Sequence, residues 1–462
     1  MLPNHSPWIH QLKRTRPVTP LDRNMTTDVV VVGGGIAGMV TAFFTLKYTN
    51  KKVAIIEADK VAHGATGHNA GQITSYFERP LFDIVAEFGL EEAVAGQKAV
   101  ESAWGLIDEI SADINLSTPL YRFTGYAGCA TLESLVVTLE SNLCRVNGGL
   151  IPEAILVAQE FAQLKEIPAK YKDLYSVVPQ SNILSLLESD NLDYIVSFAF
   201  QKGCMNSALF TEELLSYLVR QYPQRFALFE ESPVTTVALR KHDATVEVKV
   251  PGALFTVDAE RVVLCTNGFT HFNIRNDGGP DIDTEFHHLL HGRIGYMAGY
   301  VEPLDTPPTA ISYIPKEAAS GDPTGDSYVY LTRRPHEHES KKPHNLLCAG
   351  GPERVLPNQA IYSRKHELSE EFRETIDTFL RQNYRNYPTE PTEYAFSWHG
   401  LMGYTPNGIR RIGVEPCNPV LLYNLGCNGV GILPAIYGGK RISQLLGGEK
   451  LPPSIFDLHD QR

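Results

Sequence analysis

The sequence is poor in several features, and each absence excludes a class. Its seven cysteines, Cys129, Cys144, Cys204, Cys265, Cys348, Cys417 and Cys427, are scattered and odd in number, with no Cys-x-x-Cys pair. That pattern makes neither a disulfide framework nor a zinc site; a reducing compartment and a cytoplasmic location are the expectation. No apolar run approaches the length of a membrane span. Residues 1–26 carry Lys13, Arg14, Arg16 and Arg23 among four prolines and lack the apolar core of a secretory signal. The same prolines oppose an amphipathic presequence, so the stretch reads as an arm that anchors to the body through Trp8 and Ile9. Positive charge is short as well: 41 Lys and Arg against 53 Asp and Glu leave a net charge of −12. This balance disfavours nucleic acid and anionic membranes as partners and favours a cationic small molecule. There is no Ser–His–Asp signature, phosphate-cradling lysine loop, internal repeat or low-complexity tract.

What is present begins at Thr27–Glu57. An apolar run, Val29 to Val32, leads into Gly33-x-Gly35-x-x-Gly38, then a helix-periodic segment through Ile36 and Ala37, then Val53 to Ile56, ending in Glu57 and Ala58. This order is the βαβ fingerprint of a bound dinucleotide. Gly33 permits the tight turn, Gly35 lets a pyrophosphate approach the backbone, and Gly38 lets the helix pack on the sheet. Glu57 sits where a carboxylate accepts hydrogen bonds from ribose hydroxyls and repels a 2′-phosphate. A chain of 462 residues, 43% hydrophobic and 20% charged, is a globular protein of two or three domains.

Beyond Glu57 the stretch to Pro80 is dense in Gly and small polar residues, suited to backbone lying against a flat polar ligand. Periodicity predicts a helix over 80–114, a strand over 121–130, a helix over 132–146, and a helix over 211–222 capped by Thr211. Residues 150–200 read as accessory structure over a pocket. Short strands are expected at 226–229, 234–239, 246–250, 254–257 and 262–265, the last running into Thr266-Asn267-Gly268. Strand signals at 294–301, 327–332 and 346–348 predict a second, mostly antiparallel sheet, followed by an amphipathic helix over 367–380. A strand at 421–425 leads into a second glycine cluster, Gly426 to Gly431, and a closing helix over 432–446.

Five stretches carry a family pattern: the fingerprint with Glu57, GATGHNAGQ at Gly64 to Gln72, VVLCTNG, WHGLMGYTPNG at Trp398 to Gly408, and NLGCNGVGILPAIYGGK. The chain resembles the FAD-dependent D-amino-acid oxidase, glycine oxidase and sarcosine oxidase superfamily, nearest its γ-glutamylputrescine oxidoreductase type. The resemblance implies an α/β and α+β architecture: a Rossmann-like FAD-binding domain (27–118, 201–280 and 393–462) interleaved with a substrate domain built on a mostly antiparallel sheet with helices (119–200 and 281–392). It implies FAD contacts at Thr66, Gly67, His68, Asn69, Gly71 and Gln72, at Val234, at Thr266, Asn267 and Gly268, and at Gly403. It also implies contacts at Gly426, Asn428, Gly429, Val430, Gly431 and Ile432, where the helix N-terminus stabilises the reduced flavin. The flavin is expected to be noncovalent, with His68 the one candidate for a covalent link; no cysteine stands near Gly400, where monomeric sarcosine oxidases attach theirs.

The implied reaction is oxidation of a C–N bond in an amine or N-substituted amino acid, with oxygen or another electron acceptor as partner. Tyr296, Tyr328, Tyr330, Arg333 and His399 are the expected substrate-side residues, with Arg334 an alternative to Arg333. Met402 stands where glycine oxidase has an arginine, which weakens a clamp on a substrate carboxylate and shifts the reading toward amines. The alternatives are oxidation of a C–OH substrate and a flavoprotein with a binding or sensing role. His287, His288 and His291, and His336 with His338, lack partners at metal-ligand spacing, and no metal is expected.

Overall fold

The apolar run Val29 to Val32 is buried on both sides, and its alternation decides which core each residue joins. Val29 and Val31 meet a layer of helices, while Val30 and Val32 meet the opposite face. The structure, a computed structural model, describes residues 4–316, 328–336, 344–357, 361–365, 368–390 and 392–458. The strand Met25–Val32 lies between Val53–Ile56 and Ala253–Leu264, parallel to both. Around it runs a nine-stranded sheet, in which Leu421–Leu425 pairs in parallel with the end of Ala253–Leu264.

The helices Ile36–Tyr48 and Ile432–Leu446, from opposite ends of the chain, pack together on one face of this sheet. Contact is close because Gly439 has no side chain; a Cβ there would lie 2.9 Å from the backbone of Val40 and Thr41. Both helices therefore begin beside one another, with their unpaired first-turn N–H groups at one end of the sheet.

A second, ten-stranded sheet is mostly antiparallel. Its order runs Phe396–Tyr404, His291–Glu302, His344–Val355, Val329–His336, Thr309–Ile314, Tyr121–Cys129, Val196–Cys204, Ala154–Ala158 and Ser176–Val178, with Gln72–Thr74 paired to Val196–Cys204. Two α/β layers sharing one chain match the expected fold class.

Several local expectations need correction. The helix expected over 80–114 is two, Leu81–Phe88 and Leu90–Ile114, broken at Gly89, whose φ of +83° no helix accepts. The helix expected from Thr211 starts at Ser207, because the Asn206 side chain accepts from the N–H groups of Ala208 and Leu209; Thr211 is inside it. The strands expected at 254–257 and 262–265 are one, Ala253–Leu264. Residues 150–200 supply three strands of the second sheet rather than accessory cover. Val196–Cys204 crosses the domain limit expected at 200, and Phe396–Tyr404, expected in the first domain, is an edge strand of the second sheet. The amphipathic helix is Glu370–Asn383; Glu367, Ser327 and His338 lie outside the described residues.

Candidate functional site

The first strand ends at Gly33, whose φ of +108° turns the chain and whose absent side chain avoids Cys265 O, 2.8 Å from where a Cβ would sit. At Gly35 the corresponding space belongs to Thr66 Oγ1, which accepts from Ile36 N at 3.0 Å. The Gly64–Gln72 loop is thereby tied to the helix start. Asn69 stiffens it from within: its Nδ2 donates to Ala65 O, Thr66 O and Ser207 Oγ, and its Oδ1 accepts from Gly71 N. The N-terminal arm holds it from outside. Trp8 Nε1 donates to Asn69 O at 2.6 Å, and Ser6 Oγ to Gly67 O.

The second glycine cluster reaches the same place through asparagines. Asn267, at φ +51°, accepts from Cys427 N at 3.0 Å, and Asn428 N donates to Gly403 O at 3.0 Å. Asn428 Oδ1 in turn accepts from Thr405 N at 2.7 Å. Three distant segments, 266–268, 400–405 and 426–431, are thus knitted into one wall.

These walls bound one cavity of about 480 Å³. It runs from Gly33, Gly35, Glu57 and Val234, past Thr66, His68 and Gly429 to Ile432, to the inner face of the second sheet at Met297, Ser312, Tyr328, Tyr330, Glu353 and Met402. Glu57 accepts from Gly34 N at 2.6 Å and Asp59 N at 2.9 Å, and burial pushes its carboxyl up to about 7. His68 Nδ1 donates to Gly64 O at 3.1 Å, which leaves the lone pair on Nε2; burial holds this imidazole down to about 4, hence neutral. Thr266 Oγ1 lines the cavity, buried and without a protein partner, as a polar ligand would require.

Residues 28–445 match the family described as DAO, FAD dependent oxidoreductase. The chain belongs to this family. A stretch of 77 residues is 34% identical to γ-glutamylputrescine oxidoreductase of Escherichia coli, covering 17% of this chain and 18% of that protein. Another, of 97 residues, is 32% identical to YhfW of Bacillus subtilis, a protein named for a Rieske 2Fe-2S centre, covering 20% of this chain and 19% of that protein. The matches thus span less than a fifth of either curated relative. Among solved structures, glycine oxidase from Geobacillus kaustophilus superposes with a TM-score of 0.65 at 15% identity, covering 95% of this chain and 99% of that one. The similarity in fold extends to L-proline dehydrogenase from P. horikoshii, with TM-score 0.66, 14% identity and coverages of 94% and 97%.

In this DAO-family chain the cavity takes in most, but not all, of the residues that sequence pointed to. Gly33, Gly35, Ile36, Ala37, Glu57, Ala58, Thr66, His68, Asn69, Gln72, Val234, Thr266, Asn267, Gly429, Val430, Gly431 and Ile432 line it. Gly38, Gly67, Gly71, Gly268, Gly403, Gly426 and Asn428 do not; they sit behind the wall, where close backbone approach is needed. A Cβ on Gly38 would overlap Gly33 O, one on Gly71 would lie 2.6 Å from the Trp8 ring, and one on Gly403 2.7 Å from Gly268 N.

Among the substrate-side candidates, Tyr328 and Tyr330 line the cavity. Tyr296, Arg333 and His399 do not, because neighbouring residues of a strand face opposite ways. Tyr296 stacks on Phe372 with ring centroids 3.6 Å apart, and His399 Nδ1 lies 2.8 Å from Tyr362 Oη, while their strand neighbours Gly295, Met297, Gly400 and Met402 face the cavity. Arg333 is 1% exposed and spans both Glu188 oxygens at 2.7 and 2.8 Å, with Tyr384 Oη also at 2.8 Å. Arg334 lies beyond the cavity, its guanidinium 4.5 Å over the Trp8 ring.

Sequence reading missed Tyr76, Glu78, Ser312, Glu353, Tyr362, Arg364 and Arg410, all of which line the cavity. Tyr76 and Glu78 follow the glycine-rich loop at alternating positions, a signal that was available; the others come from strands and connections whose register only the tertiary structure shows. Of the cluster histidines, His287, His288, His291 and His336 are described, and none of these four is in the one group with metal-like geometry found among the described residues; His287 lies 3.5 Å from Asp283.

Proposed function

We propose that the protein uses FAD, held in this cavity, to oxidise a C–N bond of an amine or N-substituted amino acid. Gly33, Gly35, Ile36 and Ala37 meet the pyrophosphate at the helix N-terminus, Glu57 accepts from the adenosine ribose, and Val234 lies against the adenine. Thr66 to Gln72 and Gly429 to Ile432 carry the cofactor toward the second sheet. When bound, the flavin accepts the hydride of the substrate's α-carbon. The chain's own residues supply position: Tyr328, Tyr330, Met297 and Met402 form the floor on which a carbon is held at reacting distance. The substrate nitrogen is neutral, gives up its N–H proton as the C=N bond forms, and water then hydrolyses the imine; oxygen or another acceptor takes the two electrons onward.

One observation carries the reading: the cavity that begins at the dinucleotide turn ends among tyrosines and two methionines, with no arginine of the second sheet facing it among the described residues. A phosphate or carboxylate on the substrate calls for such a cation, which counts against oxidation of glycerol phosphate or a hydroxyacid and, among C–N substrates, favours amines over N-substituted amino acids. The test is the visible spectrum of the purified protein and its anaerobic bleaching by polyamines, sarcosine, glycine, D-amino acids and glycerol phosphate. Bleaching by an amine supports the reading. A colourless protein that FAD cannot reconstitute refutes it, and bleaching by glycerol phosphate alone moves the chemistry to C–OH.

His68 faces the cofactor as a neutral imidazole, and noncovalent FAD is the proposal. Acid precipitation then leaves all the yellow colour in the supernatant; colour that stays with the pellet, and disappears from it in His68→Ala, would show a covalent link at this residue.

A further inference from the structure

The second-sheet end of the cavity has a charge pattern that the oxidation of a C–N bond does not by itself require. Glu78 and Glu353 both line it, together with the rings of Tyr76, Tyr328 and Tyr330. Tyr328 Oη donates to Glu78 Oε1 at 2.9 Å, and its ring lies 5.7 Å from that of Tyr330, tilted by 47°. Tyr404 Oη reaches Glu353 Oε1 at 3.5 Å. Glu78 also packs over the second glycine cluster: a Cβ on Gly429 would lie 2.7 Å from its Cγ. Glu78 is exposed and Glu353 half-buried, so both carboxyl groups reach the open space beside the second glycine cluster.

The nearby cations do not line this space. Arg293 pairs with Glu353 at 3.7 Å from outside the lining, its guanidinium 4.7 Å from the centroid of the Tyr404 ring. Lys202 is fully buried behind the pocket, its Nζ 3.4 Å from Ser312 Oγ and 5.7 Å from the centroids of the Tyr76 and Phe200 rings. The arginines that do line the cavity are engaged elsewhere: Arg364 with Asp59 and His63 O, Arg410 with Asn424 at 2.8 Å. Burial raises both carboxyl groups, Glu353 to about 7; Arg293 opposes the rise at Glu353 while Glu78 adds to it, and Tyr328 and Lys202 oppose the rise at Glu78. Arg293 and Lys202 offset these acids from outside the lining, so the surface that faces the space is two carboxyl groups and three tyrosine rings; such faces favour an organic ammonium over a hydrated metal ion.

We propose that this pocket binds the ammonium of an organic cation, and that the substrate is a carboxylate-free diamine. The proposal rests on the C–N reading above. The nitrogen beside the oxidised carbon must be neutral, since its lone pair forms the C=N bond, so it is not the charge that Glu78 and Glu353 receive. A second nitrogen, further along an apolar chain, is. The methylenes between the two then lie along Met297, Met402 and the Tyr330 face, where a carboxylate would meet two acids and, among the described residues that line this end, no guanidinium.

The experiment is anaerobic titration of the holoenzyme, following flavin absorbance, with diaminobutane, butylamine, glycine and sarcosine. Tetramethylammonium, which cannot be oxidised at a neutral nitrogen, is titrated as a binding probe. Diaminobutane is expected to half-reduce the flavin at a concentration about tenfold below butylamine, as an ammonium held by carboxylates and tyrosine faces implies. Glu353→Gln and Glu78→Gln should bring the ratio between diaminobutane and butylamine close to one, and tetramethylammonium should perturb the wild-type spectrum saturably and the double variant not at all. Equal response to diaminobutane and butylamine, or efficient reduction by glycine or sarcosine without the diamine, overturns the proposal and leaves C–N oxidation standing. If no amine or amino acid reduces the flavin, the C–N reading fails; a tetramethylammonium titration without a spectral change then overturns the cation pocket as well, and a saturable one that the double variant loses retains it. Should the glutamine variants not hold flavin, the wild-type preference and probe titration decide alone.

Discussion

Trp8 is the residue whose removal tests the architecture of the site most directly. It is fully buried, stacks edge-on against Trp398 with ring centroids 6.3 Å apart, carries the Arg334 guanidinium on its face, and donates Nε1–H to Asn69 O at 2.6 Å. Gly71 exists as glycine beside it because a side chain would strike the indole. Trp8→Ala removes a buried indole at a cost of about 3–5 kcal/mol, with the spread set by how far the site collapses. Arg334 compounds the loss: its guanidinium is already penalised by burial, its Nε has no partner, and it would lose the ring that compensates it. The damage is local to the Gly64–Gln72 loop, so it should appear in cofactor affinity. If about 2 kcal/mol of it falls on the loop, flavin dissociation strengthens by roughly 30-fold. Trp8→Phe keeps most of the volume and loses the N–H, for a cost nearer ~1 kcal/mol and about fivefold. Equilibrium dialysis or the fluorescence of released flavin measures both, with the thermal midpoint read alongside. Affinity within twofold of wild type in Trp8→Ala, with an unchanged midpoint, would refute the claim that the arm holds the cofactor loop.

Arg333→Met separates the buried pair from the reaction: losing the partner of Glu188 should destabilise the protein by about 3–5 kcal/mol in denaturant titration, while KM stays within twofold; a large rise in KM at unchanged stability would place Arg333 in the substrate pocket after all. Burial raises the Glu153 carboxyl to about 7 from an ordinary 4.5, with Arg145 opposing and Glu101 adding to the shift. Its folded value lies above its unfolded one, so the associated stability is complete below about 4.5 and is lost as pH rises through 7. Denaturant midpoints across that window should fall less steeply in Glu153→Gln than in wild type, and identical slopes would contradict the assignment.

Parts of this protein were legible because their constraints are local. Gly33, Gly35 and Glu57 act within one βαβ unit, and the backbone that a pyrophosphate approaches is specified by residues a few positions apart. The same holds for the closing helix Ile432–Leu446, whose start follows the glycine cluster directly. Local patterns failed where a second local signal competed: Thr211 reads as a cap, but Asn206 five residues earlier takes the two free N–H groups.

What the sequence determined by itself is therefore the dinucleotide turn, the family pattern of glycine-rich segments, and the shortage of positive charge. Only the tertiary structure decided which side of each strand meets the cavity. Alternation says that Arg333 and Arg334 oppose each other, and that Tyr296 differs from Gly295 and Met297, but it is silent on which face is which. That choice is set by pairing: Tyr296 stands opposite His399, and Tyr330 opposite Ser312 and Gly350, from strands scattered along the chain. Tertiary packing likewise separated the glycines that face the cavity from Gly38, Gly403 and Gly426, which let backbones touch behind it. It also brought Glu78 and Glu353, 275 positions apart by their numbers, into one pocket. A carboxylate's meaning depends on the charges around it, and those are supplied by the fold.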